Sequence, residues 1–470
     1  MVFSSLQFLF WFLPFFFISY FLVDKKYKNF CLLIYSLCFY AYGCINTPFY
    51  FLLLVMSLVI NYYLAIFMMK YNKYKKAIFI LDLVFNFSIL FVFKYMDFFI
   101  DILNGLLIYM NLDPMINHVN LILPIGISFY TFQIVSYIID VYRGTVELEN
   151  NFIDLATYII MFPQLIAGPI VRFNTINKEL KNRDVKLEKV YDGIKFFVFG
   201  LASKVIISNR LSGVAASISS IGYESISTPL AWFGMISYSL QLYFDFFGYS
   251  LMAIGIGKII GFNLPKNFDY PFISTSITEF WRRWHITLST WFKEYVYIPL
   301  GGNKKGSIET VCNLFTVWFL TGIWHGANIN FVLWGVFLAL SIIFEKLFLH
   351  KIFEKYNIVG RIWTLLLIPI SFLTFAVNDF NELTTYINRL FNIGGTSIND
   401  LDIINVSRNF ILIFIVAIIF CTELPKKLYS YLDLTKYKLY IEVLILSILF
   451  IYSVYSIYMG LNDPFMYFRF

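Results

Sequence analysis

Two of the chain's four histidines lie in motifs dense with aromatic residues, and their surroundings suit them to chemistry. His325 stands between Trp324 and Gly326 in a long apolar stretch, and His285 ends the motif Trp-Arg-Arg-Trp-His. A neutral imidazole can take a proton from an attacking hydroxyl group. The two motifs therefore predict general-base chemistry.

His325 allows a structural and a functional interpretation. A lone histidine in a soluble core more often serves packing through a hydrogen bond, but an ionisable side chain inside a membrane is costly and by default marks a function. Gly322, Gly326 and Asn328 would let another backbone or a ligand approach. We therefore predict that His325 is catalytic and that Asn328 lies in the substrate site.

His285 lies in the segment 279–305, which is rich in aromatic and basic residues. On a continuous helix Trp281, Trp284, His285 and Leu288 would share one face. Anchoring at a membrane interface does not call for a histidine, so we expect His285 to line a cavity, with Trp284 beside it.

The basic side chains of this segment leave two interpretations open. Arg282, Arg283 and Lys293 could anchor the chain at the cytoplasmic interface. They could equally contact the phosphates of a donor or an acidic carrier protein.

Asp245, in the stretch SLQLYFDFFGYS, is interpreted as the one carboxylate deep in a predicted span. It could make a structural hydrogen bond to Gln241 or to a tyrosine, or it could orient a histidine or the substrate. The sequence favours neither role.

Composition places these residues in a membrane protein. Of 470 residues, 59% are hydrophobic and 14% charged, against about 45–50% and about 25% in soluble domains. The net charge of +7 comes from short Lys and Arg clusters between apolar runs, which argues against nucleic-acid binding. The five cysteines show no disulfide or metal-site spacing, and the sequence motifs of ATP-driven transport, serine hydrolases and zinc proteases are missing.

Apolar runs predict an all-α, polytopic single domain over residues 1–470 with about eleven or twelve spans. The N-terminal run is expected to be the first span rather than a removed signal peptide. The runs lie near 6–23, 30–46, 48–69, 77–94, 121–141, 194–212, 228–260, 311–328, 331–349, 361–379, 408–421 and 438–459.

Clusters of Lys and Arg in the short loops all fall on one side if both termini face out, which makes that side cytoplasmic. Two stretches fit the alternation poorly. We expect 152–171 to be re-entrant and 262–310 to form cytoplasmic-side interfacial helices that cap a cavity.

Seven motifs, in order along nearly the whole chain, resemble bacterial membrane-bound O-acyltransferases, in particular the branch that acetylates alginate or peptidoglycan. They are MVFSSLQFLFWFLP at the start, LPIGISFYTFQIVSYIIDVYRG at 123–144, FPQLIAGPI at 162–170, FDFFGYSLMAIGIGKIIGF at 244–262, FWRRWHITLSTWFKEYVYIPLGG at 280–302, WHGANINFVLWG at 324–335 and NDPFMYFRF at 462–470.

The resemblance implies that His325 is the family's essential histidine and His285 its second histidine. It also implies helices around a central tunnel in a bacterial inner membrane. A cytoplasmic thioester, acetyl-CoA or an acyl carrier, would be the donor substrate, with no bound cofactor. A polysaccharide would be the acceptor, commonly through a separate extracytoplasmic acetyltransferase.

Two other functions remain open. D-alanyl transferases of teichoic-acid modification share the Arg-Trp-His element but look less similar after Tyr297, so acetyl transfer is favoured. A transporter could use His325 and Asp245 to line a proton pathway, although that would not explain the paired Trp-His motifs.

Overall fold

A computed structural model describes residues 2–113, 116–393, 401–431 and 437–460. The terminal motif at 462–470 lies outside the described residues. Within those ranges the chain is helical and contains no β-strand, as predicted.

Eleven α-helices lie within the described residues of the N-terminal half. They are α1 (Leu13–Leu22), α2 (Lys28–Gly43), α3 (Phe49–Lys70), α4 (Lys75–Tyr109), α5 (Ile127–Arg143), α6 (Phe152–Ile160), α7 (Phe162–Leu165), α8 (Phe173–Lys181), α9 (Leu187–Ala202), α10 (Asn209–Ile221) and α11 (Thr228–Ile259). Short π-helical turns at Phe8–Phe12 and Ser203–Ser208 extend α1 and join α9 to α10.

The C-terminal half contains ten further α-helices within the described ranges. They are α12 (Ile277–Arg283), α13 (Ile286–Phe292), α14 (Ser307–His325), α15 (Ile329–Phe344), α16 (His350–Lys355), α17 (Asn357–Ala376), α18 (Phe380–Leu390), α19 (Leu401–Phe420), α20 (Leu424–Ser430) and α21 (Lys438–Tyr458).

Each of the twelve predicted spans contains a helix, but only six described helices are long and apolar enough to cross a membrane by themselves. These are Phe49–Lys70, Asn72–Tyr109, Ile329–Lys355, Asn357–Ala376, Leu401–Phe420 and Lys438–Tyr458. The others are shorter or less apolar. Protein covers α11 along most of its length, and a helix shielded from lipid need not be uniformly apolar.

The core lies around α11, while the outer helices expose apolar side chains. Leu412 on α19 and Leu444 on α21 are 76% and 61% exposed, as expected of side chains that face lipid. Against α11, α9 packs backbone to backbone, since a Cβ on Gly200 would lie 2.5 Å from the carbonyl oxygen of Gly248.

Loops predicted to share the cytoplasmic side contact one another. Lys25 pairs with Asp184 at 3.4 Å, and Arg172 pairs with Glu294. The predicted re-entrant stretch forms α6 and α7 followed by non-helical backbone, and nearly all of it is buried in protein. Irregular backbone at that depth is therefore covered by the rest of the fold.

Candidate active site

His325 is the last residue of α14, and close packing of α14 on α15 fixes its position. A Cβ on Gly322 would lie 2.5 Å from the carbonyl oxygen of Phe331 and 3.1 Å from the Cα of Gly335. Only glycine allows this approach. The imidazole is 8% exposed, and its centroid lies 4.9 Å from that of the Trp334 ring.

His325 opens onto a small cavity of about 90 Å³. Lys94, Ser128 and Trp324 line the same space together with apolar residues of the segment 123–129. A second cavity of about 390 Å³ shares Lys94 with the first and is lined by Asp97, Asn328 and Asn378, among others. Asp97 and Asn378 lie at the ends of loops that are poor in Lys and Arg, and the charge rule predicts that such loops face away from the cytoplasm.

Asn328 lines the larger of these two cavities, and its place in the substrate site stays a prediction. Its side-chain oxygen accepts a hydrogen bond from the backbone N–H of Asn330 at 2.8 Å, so it caps the N-terminus of α15. The amide nitrogen of Asn330 in turn donates to the carbonyl oxygens of Val377 and Asn378. Asn328 thus shapes the rim of the cavity.

The predicted continuous helix through His285 is wrong. The chain breaks between α12 and α13, where His285 adopts φ 44° and ψ 53°. Such a left-handed conformation costs a residue other than glycine about 1–3 kcal/mol. Trp281, Trp284 and Leu288 therefore do not share one helical face with His285. Between Phe280 and Phe292 no glycine or proline marks the break.

A buried hydrogen-bond network holds His285 in one orientation. Its Nδ1 lies 3.1 Å from Oδ1 of Asn267. That oxygen also accepts the backbone N–H of Thr287 at 3.3 Å and its hydroxyl at 2.9 Å. Since Oδ1 acts as an acceptor throughout, Nδ1 carries the ring proton and Nε2 is left as the basic nitrogen.

The same network ties His285 to distant parts of the chain. The amide nitrogen of Asn267 donates to the hydroxyl of Ser250 on α11 at 3.1 Å. The hydroxyl of Thr287 accepts the backbone N–H of Ile170, at the end of the FPQLIAGPI motif, at 3.0 Å. Three separate sequence motifs therefore converge on one imidazole.

Trp324 connects the two histidines. Its indole centroid lies 5.0 Å from the His325 ring and 6.4 Å from the His285 ring. Phe129 contacts the same indole at 5.9 Å. The structure thus brings His325 and His285, which are 40 positions apart, into one aromatic cluster.

The structure separates the two arginines that the sequence grouped together. Arg282 is exposed and lines a cavity of about 1140 Å³. Lys293, Lys304, Lys305 and Lys346 line the same cavity, and the side of the protein that carries these residues is called the basic face. Arg282 could therefore contact an anionic donor there.

Arg283 has a structural role instead, because it bonds Glu279 at 2.8 Å and the carbonyl oxygen of Asp269 at 3.2 Å. Burial alone would raise the pKa of Glu279, but hydrogen bonds from Thr275 and the Arg283 guanidinium lower it below its ordinary value. Trp284 is buried against Phe280 and other aromatic rings. It therefore supports the fold near His285 and does not line the basic cavity.

Asp245 forms an ion pair that neither of its two predicted roles included. Its carboxylate lies 2.6 Å from the ammonium of Lys204, and both side chains are 1% exposed. This buried ion pair joins α11 to the π-helical turn after α9. Asp245 is also not the one carboxylate deep in a span, because Asp82 is buried in α4 next to Asn86.

Two residues that the sequence analysis missed contribute to the site. Lys94 lines both cavities at His325, and its ammonium donates to the carbonyl oxygen of Trp324 at 2.5 Å. A lysine at the end of a predicted span was a usable signal, since intramembrane charges mark function by default. Asn267 lies in a loop without periodicity, and no sequence signal indicated it.

Comparison with known proteins identifies the class of this site. The model of the membrane-bound O-acyltransferase family matches residues 148–386, which include both histidines. The chain is 40% identical over 408 residues to a probable alginate O-acetylase, AlgI, of Pseudomonas putida, covering 86% of this chain and 82% of that protein. It is 32% identical to a peptidoglycan O-acetyltransferase of Helicobacter pylori, covering 100% and 98% of the two chains.

A teichoic acid D-alanyltransferase of Bacillus subtilis is 32% identical over 249 residues, which cover 51% of this chain and 61% of that protein. The chain therefore belongs to the membrane-bound O-acyltransferase family. The predicted enzyme class, an acyltransferase in an all-α membrane protein, is confirmed.

Proposed function

We propose that this enzyme moves an acetyl group from a cytoplasmic thioester, acetyl-CoA or an acyl carrier, to a hydroxyl of a cell-surface polysaccharide. The position of His325 carries the proposal. Its imidazole lines a small cavity that shares Lys94 with a second cavity beside Asn328, and a separate large cavity is lined by Arg282 and several lysines. The relatives named as alginate and peptidoglycan acetylating enzymes supply the class of acceptor.

The donor would bind at the basic cavity. Coenzyme A and the prosthetic arm of an acyl carrier both contain phosphate. Arg282 and Lys293, which line the cavity, carry positive charges that can bind phosphate. The charged donor cannot cross hydrocarbon, but an acetyl group can reach a central catalyst through a tunnel. We place that tunnel between the basic cavity and His325.

At the centre, His325 takes the proton of the acceptor hydroxyl as its oxygen attacks the thioester carbonyl carbon. The C–O bond forms, the carbonyl electrons move to oxygen, and collapse of the tetrahedral adduct breaks the C–S bond. The departing sulfur receives a proton from the imidazolium. His285, with Nε2 as its basic nitrogen, positions the donor or acceptor for this step.

The lining of the small cavity favours acetyl over D-alanyl transfer. A D-alanyl group carries a positively charged ammonium, whereas an acetyl group is neutral. Lys94 faces the cavity, and its described lining includes no carboxylate that could neutralise a second cation. The cavity's volume of about 90 Å³ also suits an acyl group of few atoms, since one water occupies about 30 Å³ in the liquid.

We further propose that the protein lies in a bacterial inner membrane and acts with a separate extracytoplasmic acetyltransferase that receives the acetyl group. The cavity beside Asn328 and Asn378 would then open toward that partner and the polysaccharide.

Proteoliposomes that contain the purified protein separate this function from transport. Radiolabelled acetyl-CoA is supplied at the basic face, and the partner acetyltransferase is supplied with an acceptor polysaccharide at the other. Transfer of label to the partner or to the polysaccharide, absent with His325→Ala, supports the proposal. Passage of a solute without acetyl transfer would instead support a transporter.

A further inference from the structure

The partly buried lysine of α4 has a place in the site that the two-histidine mechanism does not use. Lys94 lines the cavity at His325 and the adjoining cavity at Asn328, and it lies outside the residues matched by the family model. Its Nζ is 2.5 Å from the carbonyl oxygen of Trp324, 3.4 Å from the carbonyl oxygen of His325 and 3.4 Å from the hydroxyl oxygen of Ser128. The cation is thus held at the backbone of the predicted catalytic residue.

The end of α14 explains how a charge is tolerated there. The last carbonyl groups of a helix have no partner within the helix and carry partial negative charge. Tyr95, next to Lys94 on α4, donates its hydroxyl to the carbonyl oxygen of Ile323 at 3.0 Å. Two consecutive residues of α4 therefore cap the helix that ends in His325.

Capping alone does not require a cation, because the neutral hydroxyl of Tyr95 already caps the carbonyl oxygen of Ile323, the residue before Trp324. Lys94 differs from Tyr95 in that its ammonium also faces the space in front of the imidazole. Asp97, the acidic residue on the larger cavity, accepts backbone N–H groups of Val119 and Asn120. Its carboxylate is engaged in holding the loop over α4.

We propose that Lys94 is a further catalytic residue, whose ammonium stabilises the oxyanion formed when the acceptor attacks the acetyl thioester at His325. The inference rests on the proposed acyl transfer. Attack converts the carbonyl oxygen into an anion, and collapse returns that charge to the carbonyl bond as the C–S bond breaks. A fixed positive charge in a site with little water acts on that transient anion more than on the neutral ground state.

Membrane vesicles from cells that express variants in place of the native copy provide the test, because any partner protein is then present. Acetyl-CoA is added at the cytoplasmic face, and acetylated polysaccharide is measured per molecule of enzyme. Lys94→Gln keeps an N–H donor for the cap but removes the charge, and Lys94→Arg keeps both. Lys76→Met removes an exposed lysine from the first turn of the same helix and serves as the matched control.

We expect Lys94→Gln to lower the maximal rate by about 10²–10³-fold, the usual effect of losing one oxyanion contact. The KM for acetyl-CoA should stay within about twofold, as for an interaction made only in the transition state. Lys94→Arg should recover much of the rate, and Lys76→Met should match the wild type.

Other results overturn the inference. Full activity of Lys94→Gln would exclude a catalytic charge, and a raised KM at an unchanged maximal rate would make Lys94 a binding residue for a ground-state anion. Equal losses in Lys94→Gln and Lys94→Arg, with a lower thermal midpoint in both, would reduce the lysine to a helix cap. Absence of transfer by wild-type vesicles would refute the proposed function itself.

Discussion

Replacing Asn267 by leucine should disable the enzyme without touching either histidine. Leucine matches asparagine in size but cannot accept the hydrogen bonds that Oδ1 receives from His285 and Thr287. Asn267 and His285 are both almost fully buried, so water cannot replace the lost acceptor. The imidazole then loses the partner that fixes its tautomer and direction.

The structure sets the size of the effect. Two buried N–H groups, one on the His285 ring and one on the backbone of Thr287, lose their acceptor, and each costs about 1–3 kcal/mol. The hydroxyl of Thr287 can turn away. We expect a loss of about 2–6 kcal/mol in the free energy of unfolding and a fall in turnover of about 10²-fold, because His285 positions the substrate.

Asn267→Asp is the matched variant, because aspartate keeps an acceptor oxygen for His285 and Thr287 and replaces the donor to Ser250 by a second carboxyl oxygen. Thermal unfolding in detergent and acetyl transfer in vesicles are measured on both variants. The reasoning predicts that aspartate retains far more activity than leucine. Similar activity in the leucine variant and the wild type would refute the network's role in orienting His285.

Two further predictions concern contacts between helices, one a close backbone approach and the other a buried ion pair. Gly322→Ala places a Cβ 2.5 Å from a carbonyl oxygen of α15, so it should abolish acetyl transfer in vesicles, whereas Gly105→Ala, which meets no atom within 4 Å, should not. Lys204→Met should lower stability by about 3–5 kcal/mol, because it leaves the buried carboxylate of Asp245 without this partner; a thermal midpoint in detergent unchanged from wild type would contradict this. Combining it with Asp245→Leu should recover most of that loss.

Helix content and membrane class followed from the sequence because apolar periodicity is local. Each predicted span contains a helix, but that His325 is the last residue of α14 was not predicted. Six of the described helices are long and apolar enough to span a membrane by themselves, and apolar length does not reveal whether lipid or protein covers a segment. The contrast between α11, which is buried, and α19, which is exposed, depends on tertiary packing.

Side-chain partners were harder to predict because they join distant positions. Asp245 could not be paired with Lys204 from spacing, since the two lie on different helices. The break at His285 depends on hydrogen bonds that Asn267 accepts, which the neighbours of His285 in sequence do not indicate. Lys94 was visible as a charge at a span end, but its contact with the end of α14 spans 230 positions.

The imidazole of His325 is the centre of this account, and the acetyl content of the cell-surface polysaccharide tests it most directly. Mass spectrometry is applied to glycans from a deletion strain complemented with wild type, His325→Gln or His118→Gln, the last altering an exposed histidine. The account predicts acetylation with wild type and His118→Gln and none with His325→Gln at equal protein levels in the membrane. Normal acetylation with His325→Gln would show that the ring serves packing and would contradict the account.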